Sequence, residues 1–326
     1  VADLFDINFI ENDLNKVEKQ FDIYLMSETP LINKVAKYVI SSGGKRIRPA
    51  LVILSAKLCG YTGEDHILLA TIIEFIHTAT LLHDDVVDSA LLRRGQSSAN
   101  IVFGNEASVL VGDYLFAKSF EILSKINNLK IISAYANATT LMAEGEVREL
   151  IKTADINTTE DEYLDIIIKK TAVLFACASQ AGAIISGRDA EPEYEQNLYD
   201  YGLNIGVAFQ LMDDTLDYTS KNEAFGKFIG NDLKEGKITL PVIHTLERCD
   251  VQEKEDFKEI IFKKKITKND LNNVLELINK YNSIEYTIEK ANESIEKAKY
   301  NLRKFDNSIV KESLMGLADY VVERKL

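Results

Sequence analysis

Apolar residues recur every three or four positions along almost the whole chain, and no stretch alternates in the two-residue rhythm of a half-buried strand. The pattern predicts helices over residues 12–27, 30–41, 48–59, 64–87, 106–126, 129–153, 160–186, 193–219, 238–247, 252–263, 267–281, 283–304 and 308–323. Pro30, Pro49, Pro192 and Pro241 are the only prolines, and each falls at or near the edge of a periodic segment, where a missing N–H costs least. The expected class is therefore all-α. The longest nearly apolar stretch, Ala172 to Ser186, is interrupted by Ser179 and Gln180 and is too short to span a bilayer, so it reads as a buried helix. Asp250 to Asn307 is richer in charge and includes Lys263-Lys264-Lys265; it reads as solvated helical surface.

Composition narrows this picture. With 326 residues, 46 % of them hydrophobic, and no Pro-, Gly- or Ser-rich linker, the chain is expected to form one large helical domain over 1–326. A net charge of -13 argues against nucleic acid as a partner. The same charge would repel a phosphorylated substrate, so local cations must reverse the field wherever one binds. Cys59, Cys177 and Cys249 form no CxxC pair and read as reduced thiols of a cytoplasmic protein. The acidic start shows no signal pattern, its opening Val suggests residues further upstream, and any membrane contact is expected to be peripheral.

Two acidic strings of one design carry the candidate chemistry: Asp84-Asp85-Val86-Val87-Asp88 and Asp213-Asp214-Thr215-Leu216-Asp217. Each ends a long helical pattern, so its first and last aspartates lie one turn apart on one face. Carboxylates crowded in this way repel each other until cations neutralise them. Oxygen-only ligands suit Mg²⁺, which binds a few carboxylates and completes its shell with water and phosphate oxygens. On a wheel with Asp84 at zero, Asp88 falls near about +40°, His77 near about +20°, Ile73 near about -20°, Thr80 near about -40° and Ile76 near about -80°. In the second helix, Gly206 and Gln210 share the face of Asp213 and Asp217, with Phe209 a turn below. Polar heads above apolar bodies would enclose a deep central cavity if the two helices faced each other.

Basic residues stand at fixed places around this scheme. Gly43-Gly44-Lys45-Arg46-Ile47-Arg48-Pro49 joins a flexible turn to a helix start, where Lys45 and Arg48 can reach an anion; the spacing is not that of a Walker loop. Arg93 and Arg94 follow the first triad, Lys227 and Lys237 follow the second, and Lys170-Thr171 adds a cation and a hydroxyl. Any one alone would read as a solvent-facing charge. Their joint placement beside two carboxylate triads points to a diphosphate.

The strings IEFIHTATLLHDDVVD with the downstream RRG, GGKRIRP, KTA at Lys170 to Ala172, and FQLMDDTLDY followed by GK and EGKITLP resemble the trans-prenyltransferases, or polyprenyl diphosphate synthases. The resemblance covers nearly the whole chain and is nearest to bacterial long-chain members that make respiratory quinone side chains. It implies a helical bundle of the isoprenoid synthase type, a homodimer, and a long-chain product such as octaprenyl diphosphate for respiratory quinone side chains, of ubiquinone or of menaquinone. It also implies that Asp84, Asp85, Asp88, Asp213, Asp214 and Asp217 hold three Mg²⁺ ions around an allylic diphosphate. Arg93, Lys170, Lys227 and Lys237 would contact that diphosphate directly, with Thr171 and Gln210 beside the reacting carbons. Isopentenyl diphosphate would bind metal-free to Lys45, Arg48, His77 and Arg94. Asn231 departs from the family, in which an aspartate often precedes the position of Asp232.

Breaking an allylic C–O bond chiefly requires stabilising the leaving diphosphate, so no nucleophilic set is needed. His77 reads as a polar contact or a satisfied core histidine rather than a base. Short-chain relatives block the shaft with an aromatic residue four or five places before the first aspartate, where this chain has Thr80 and Ala79. An open stripe through Ile76 and Ile73 therefore predicts a product longer than geranylgeranyl diphosphate, with Phe116 or Phe120 as a candidate floor. A shorter-chain synthase, a class I terpene cyclase and a non-catalytic regulatory subunit are the alternatives. The second intact triad argues against the cyclase, and the retention of every aspartate argues against the subunit.

Overall fold

The computed structural model describes residues 8–187, 191–219, 230–263 and 266–323. Its helices are α1 (Glu11–Tyr24), α2 (Pro30–Ser41), α3 (Ile47–Leu58), α4 (Asp65–Val87), α5 (Ala99–Phe103), α6 (Asn105–Ser124), α7 (Leu129–Lys152), α8 (Glu160–Ile167), α9 (Val173–Ile185), α10 (Pro192–Thr219), α11 (Asn231–Lys234), α12 (Leu240–Arg248), α13 (Val251–Ile261), α14 (Lys268–Lys280), α15 (Ser283–Asn301) and α16 (Ile309–Glu323). A two-stranded hairpin, β1 (Leu92–Arg93) and β2 (Gln96–Ser97), lies between α4 and α5. The all-α expectation holds, and the long periodic segments end within a few residues of where the apolar pattern places them.

The chain falls into two compact units: residues 1–139, 174–202 and 301–317 in the first, and 140–173, 203–300 and 318–326 in the second. In the first unit α4 packs on α6, α3 and α1, burying Leu69, Ile72, Ile73, Phe75, Ile76 and Ala79 completely. Small residues permit the closest approaches: a Cβ on Gly112 of α6 would lie 2.2 Å from His83 Nε2 of α4. The Tyr135 hydroxyl donates to the Leu69 carbonyl at 3.0 Å, which pays the polar cost of burying that ring.

In the second unit, helix starts carry their own caps. The Thr159 hydroxyl accepts the Glu162 N–H at 3.3 Å, while the Glu162 carboxylate accepts the Thr159 N–H at 3.0 Å; Asp250/Glu253 and Thr267/Asp270 repeat the device. Between α8 and α9, residues Ile168–Ala172 form a wider π turn within one continuous helix. Two glycines press on this turn. A Cβ on Gly145 of α7 would lie 2.5 Å from the Lys170 nitrogen, and one on Gly206 of α10 would lie 2.5 Å from Ala172 Cα.

The stretch read as too short to span a bilayer belongs to a 26-residue helix, Glu160–Ile185, because the amphipathic segment before it is continuous with it. This helix and α4 are long and apolar enough to cross a membrane by length and composition, but 72 % of each apolar window is buried inside the protein. Their apolarity serves the core. Sequence periodicity also missed β1, β2, α5 and α11, which are too short to show a period.

Candidate active site

In the first unit, the first triad ends α4. Asp85 is buried at 1 % exposure, and the Arg93 Nε and Nη2 groups both donate to its Oδ1, at 2.8 and 2.6 Å. Burial pushes this carboxyl up in spite of the guanidinium, which pulls the other way. Asp84 and Asp88 are half-buried on the same end of the helix. Arg93 reaches back because the hairpin pairs Leu92 with Ser97 and Arg93 with Gln96. Arg94 and Gly95 make its two-residue turn, with φ of +51° and +78°, the left-handed pair that matches strand twist.

The same turn delivers Arg94 to the Gly43–Pro49 segment. A Cβ on Gly44 would lie 3.0 Å from Arg94 Nη1, so the glycine is what lets this guanidinium lie across the loop. Arg48 stacks on the Phe175 ring at 4.3 Å. His77 is held well below its ordinary basicity by burial and then by Arg48, Arg94, Arg93 and Arg46. Arg48, His77 and Arg94, distant in sequence, thus share one cationic neighbourhood, and Lys45 stands exposed beside it. Arg46, the remaining cation of that segment, pairs with Glu18 and Glu74.

Beneath the first triad, Ile73, Ile76 and Ala79 are fully buried and Thr80 is half-buried. On α6, Phe116 stacks on His83 with centroids 5.9 Å apart, and Phe120 is half-buried.

In the second unit the π turn sets the geometry. Its Lys170 Nζ pairs with Glu146 Oε2 at 2.8 Å and Glu149 Oε2 at 2.5 Å, both on α7. The Thr171 hydroxyl donates to Gln210 Oε1 at 2.9 Å, and Gln210 Nε2 donates to Asp214 Oδ1 at 2.7 Å. The Tyr163 hydroxyl donates to the other oxygen, Asp214 Oδ2, at 2.5 Å. Asp214 is buried and its carboxyl is pushed up to about 7, chiefly by burial, with Asp213 and Glu149 adding to the shift and the two hydrogen bonds opposing it. Asp213 and Asp217 are half-buried on the same face.

Asp217 Oδ2 accepts the Asp232 N–H at 3.0 Å, which ties α11 to the second triad. Asp232 is held well above its ordinary range by burial, then by Asp217 and Asp214. Lys237 pairs with Glu235 at 2.8 Å. Lys227 lies outside the described residues. Tyr163, Glu146, Glu149, Glu74 and Asp232 are the site-adjacent residues that motif reading did not select. Glu74 alone left a signal, as a lone acid within an otherwise apolar helix face.

Among the described residues, no three His, Cys, Asp or Glu side chains close on one point. A hard divalent ion nevertheless suits the donors, because each triad offers only oxygen ligands and such ions take the rest of their shell from water and phosphate.

The profile of the family described as Polyprenyl synthetase matches residues 29–278. An octaprenyl diphosphate synthase of Haemophilus influenzae is 40 % identical over 326 residues, covering 99 % of this chain and 98 % of that protein. One from Escherichia coli is 42 % identical over 300 residues, covering 92 % of each. A polyprenyl synthase of Caulobacter crescentus, solved with calcium and isoprenyl diphosphate, superposes with a TM-score of 0.93 at 40 % identity, covering 98 % of this chain and 97 % of that one. With matched residues running through both triads and the cations around them, the chain belongs to the polyprenyl synthetase family.

Proposed function

We propose that the chain acts as one catalytic domain, a long-chain trans-polyprenyl diphosphate synthase. It adds isopentenyl diphosphate units to an allylic starter such as farnesyl diphosphate, and its octaprenyl product serves as a respiratory quinone side chain. The observation that carries this reading is that no aromatic side chain stands at Ile73, Ile76, Ala79 or Thr80 beneath an intact first triad. An isoprene unit is about as long as one helical turn, and aliphatic side chains along such a stripe can part for a growing chain where an aromatic ring would stop it.

The allylic C–O bond breaks with its electron pair leaving on the diphosphate. The double bond of isopentenyl diphosphate then supplies the electrons of the new C–C bond, and the proton lost from the adjacent carbon passes to the departed diphosphate. Divalent ions, three Mg²⁺ in this proposal, supply charge neutralisation on the leaving group when bound. Asp84, Asp85, Asp88, Asp213, Asp214 and Asp217 would hold them, and Asp85 and Asp214 would do so by orienting their neighbours as much as by ligation. Arg93, Lys170, Lys227 and Lys237 would grip the allylic diphosphate, and Thr171 and Gln210 would face its first carbons. Lys45, Arg48, His77 and Arg94 would hold isopentenyl diphosphate. With its basicity depressed, His77 suits a polar contact better than a proton acceptor.

Ile101, Val102 and Leu110, exposed at 53 %, 47 % and 66 % on the helices after the first triad, support a homodimer through α5 and α6. A cytoplasmic setting fits the three cysteines without a disulfide.

The test is incubation of the purified chain with farnesyl diphosphate, isopentenyl diphosphate and Mg²⁺, resolving products by length. A product of eight units is expected; accumulation of only fifteen- or twenty-carbon products would overturn the long-chain reading. Ala79→Tyr is expected to shorten the product while sparing the first condensation, and unchanged long products would show that this face of α4 does not line the growing chain.

A further inference from the structure

Glu74 is a buried carboxylate on α4, one turn before His77, with its side chain 5 % exposed. Its Oε1 accepts from Arg46 Nη1 at 2.6 Å. The other arms of Arg46 are also occupied: Nε donates to Glu18 at 2.7 Å and Nη2 to the Ile40 carbonyl at 3.1 Å, while the guanidinium lies 5.3 Å from the Phe21 ring centroid. Arg46 has a φ of +50°, a left-handed conformation that a non-glycine residue holds only when its surroundings fix it. Gly43, two residues before the exposed Lys45, is also left-handed, at +82°. Burial holds Arg94 below its ordinary basicity and the negative charge of Glu74 opposes that loss, while the guanidinium lies against Gly44.

We propose that Glu74 is a positioning residue for the isopentenyl diphosphate site. By clamping Arg46 it fixes the backbone turn that presents Lys45 and Arg48, and by balancing Arg94 it keeps a guanidinium seated against that turn before any anion arrives. This inference rests on the reading that Lys45, Arg48, His77 and Arg94 bind isopentenyl diphosphate, and it gives the remaining cation of the Gly43–Pro49 segment, Arg46, a structural duty.

The sign of one substitution separates positioning from background field. A carboxylate that only diluted the positive potential would, once neutralised, let a diphosphate bind more tightly; one that positions the loop would leave it weaker. Isopentenyl diphosphate is titrated calorimetrically into the full chain with EDTA present, and steady-state constants are measured with Mg²⁺. Glu74→Gln is expected to weaken metal-free binding about tenfold and to raise KM for isopentenyl diphosphate alike, with KM for farnesyl diphosphate within about twofold. Arg46→Met is expected to act in the same direction, and the double variant to be little worse than either single one. Unchanged or tighter binding in Glu74→Gln beside normal wild-type binding overturns the positioning role alone. Failure of the wild-type chain to bind without metal overturns the site assignment, and this inference with it. If Glu74→Gln does not fold, Arg46→Met decides by the same two readouts.

Discussion

The two acidic triads share a spelling but not an environment. In the first, the middle carboxylate, Asp85, is compensated by a full positive charge, with two Arg93 nitrogens on one oxygen. In the second, among the described residues, Asp214 accepts from two neutral donors, Tyr163 on one oxygen and Gln210 on the other. Burial outweighs both kinds of compensation and raises both carboxyls; at Asp214, where Asp213 and Glu149 add like charge, the carboxyl reaches about 7. A repeated motif therefore states which residues are present, and the neighbours decide what charge they carry.

The largest expected effect would break the parallel itself. Asp84→Asn and Asp213→Asn, at the head of each triad, should each lower kcat/KM about 1,000-fold in steady-state assays. A severe loss in only one of them would mean that one triad carries the leaving group alone. A smaller effect sharpens the contrast in the middle residues. Arg93→Met strands a buried carboxylate and should cost about 3 kcal/mol in urea unfolding, whereas Tyr163→Phe, which removes one neutral hydrogen bond, should cost about 1–2 kcal/mol. Equal costs would show that charge is not what distinguishes the two sites.

The contrast also predicts a pH slope. The Asp214 carboxyl ionises at about 7 in the folded chain against an ordinary value of 3.8, so between these values the folded state holds a proton that the unfolded state has released. Its contribution to stability is full below the lower value and is lost as pH rises through the higher one. Thermal melting in EDTA should show this decline, and Asp214→Asn should flatten it. A slope that survives the substitution would assign the proton to another group, with Asp232 the first to examine.

Much of the scaffold was legible because α4 and α10 are long, periodic and bounded by clear signals, so both triads fell at helix ends as read. The hairpin that aims Arg93 and Arg94 was not legible, since strands of two residues have no alternation to detect. The π turn was equally silent: Ile168–Ala172 has an ordinary helical composition, and its trace was left in other helices, at Gly145 and Gly206, where only a hydrogen fits. Tyr163 belongs to no motif, since an aromatic on an amphipathic helix is usually plain core, and its hydroxyl meets Asp214 only through tertiary packing. Glu146 and Glu149 carry no motif signal either, because only the fold sets Lys170 beside them.

The wide turn also settles a question of phase. Tyr163 and Thr171 are eight residues apart, and in an uninterrupted helix that separation would rotate one about 80° away from the other. The broader winding of Ile168–Ala172 absorbs most of this excess, and both side chains reach the same Gln210–Asp214 pair. This short stretch is consequently more sensitive to its length than to its lettering: losing a single codon there would re-clock Lys170 and Thr171 against everything upstream while leaving the composition almost untouched.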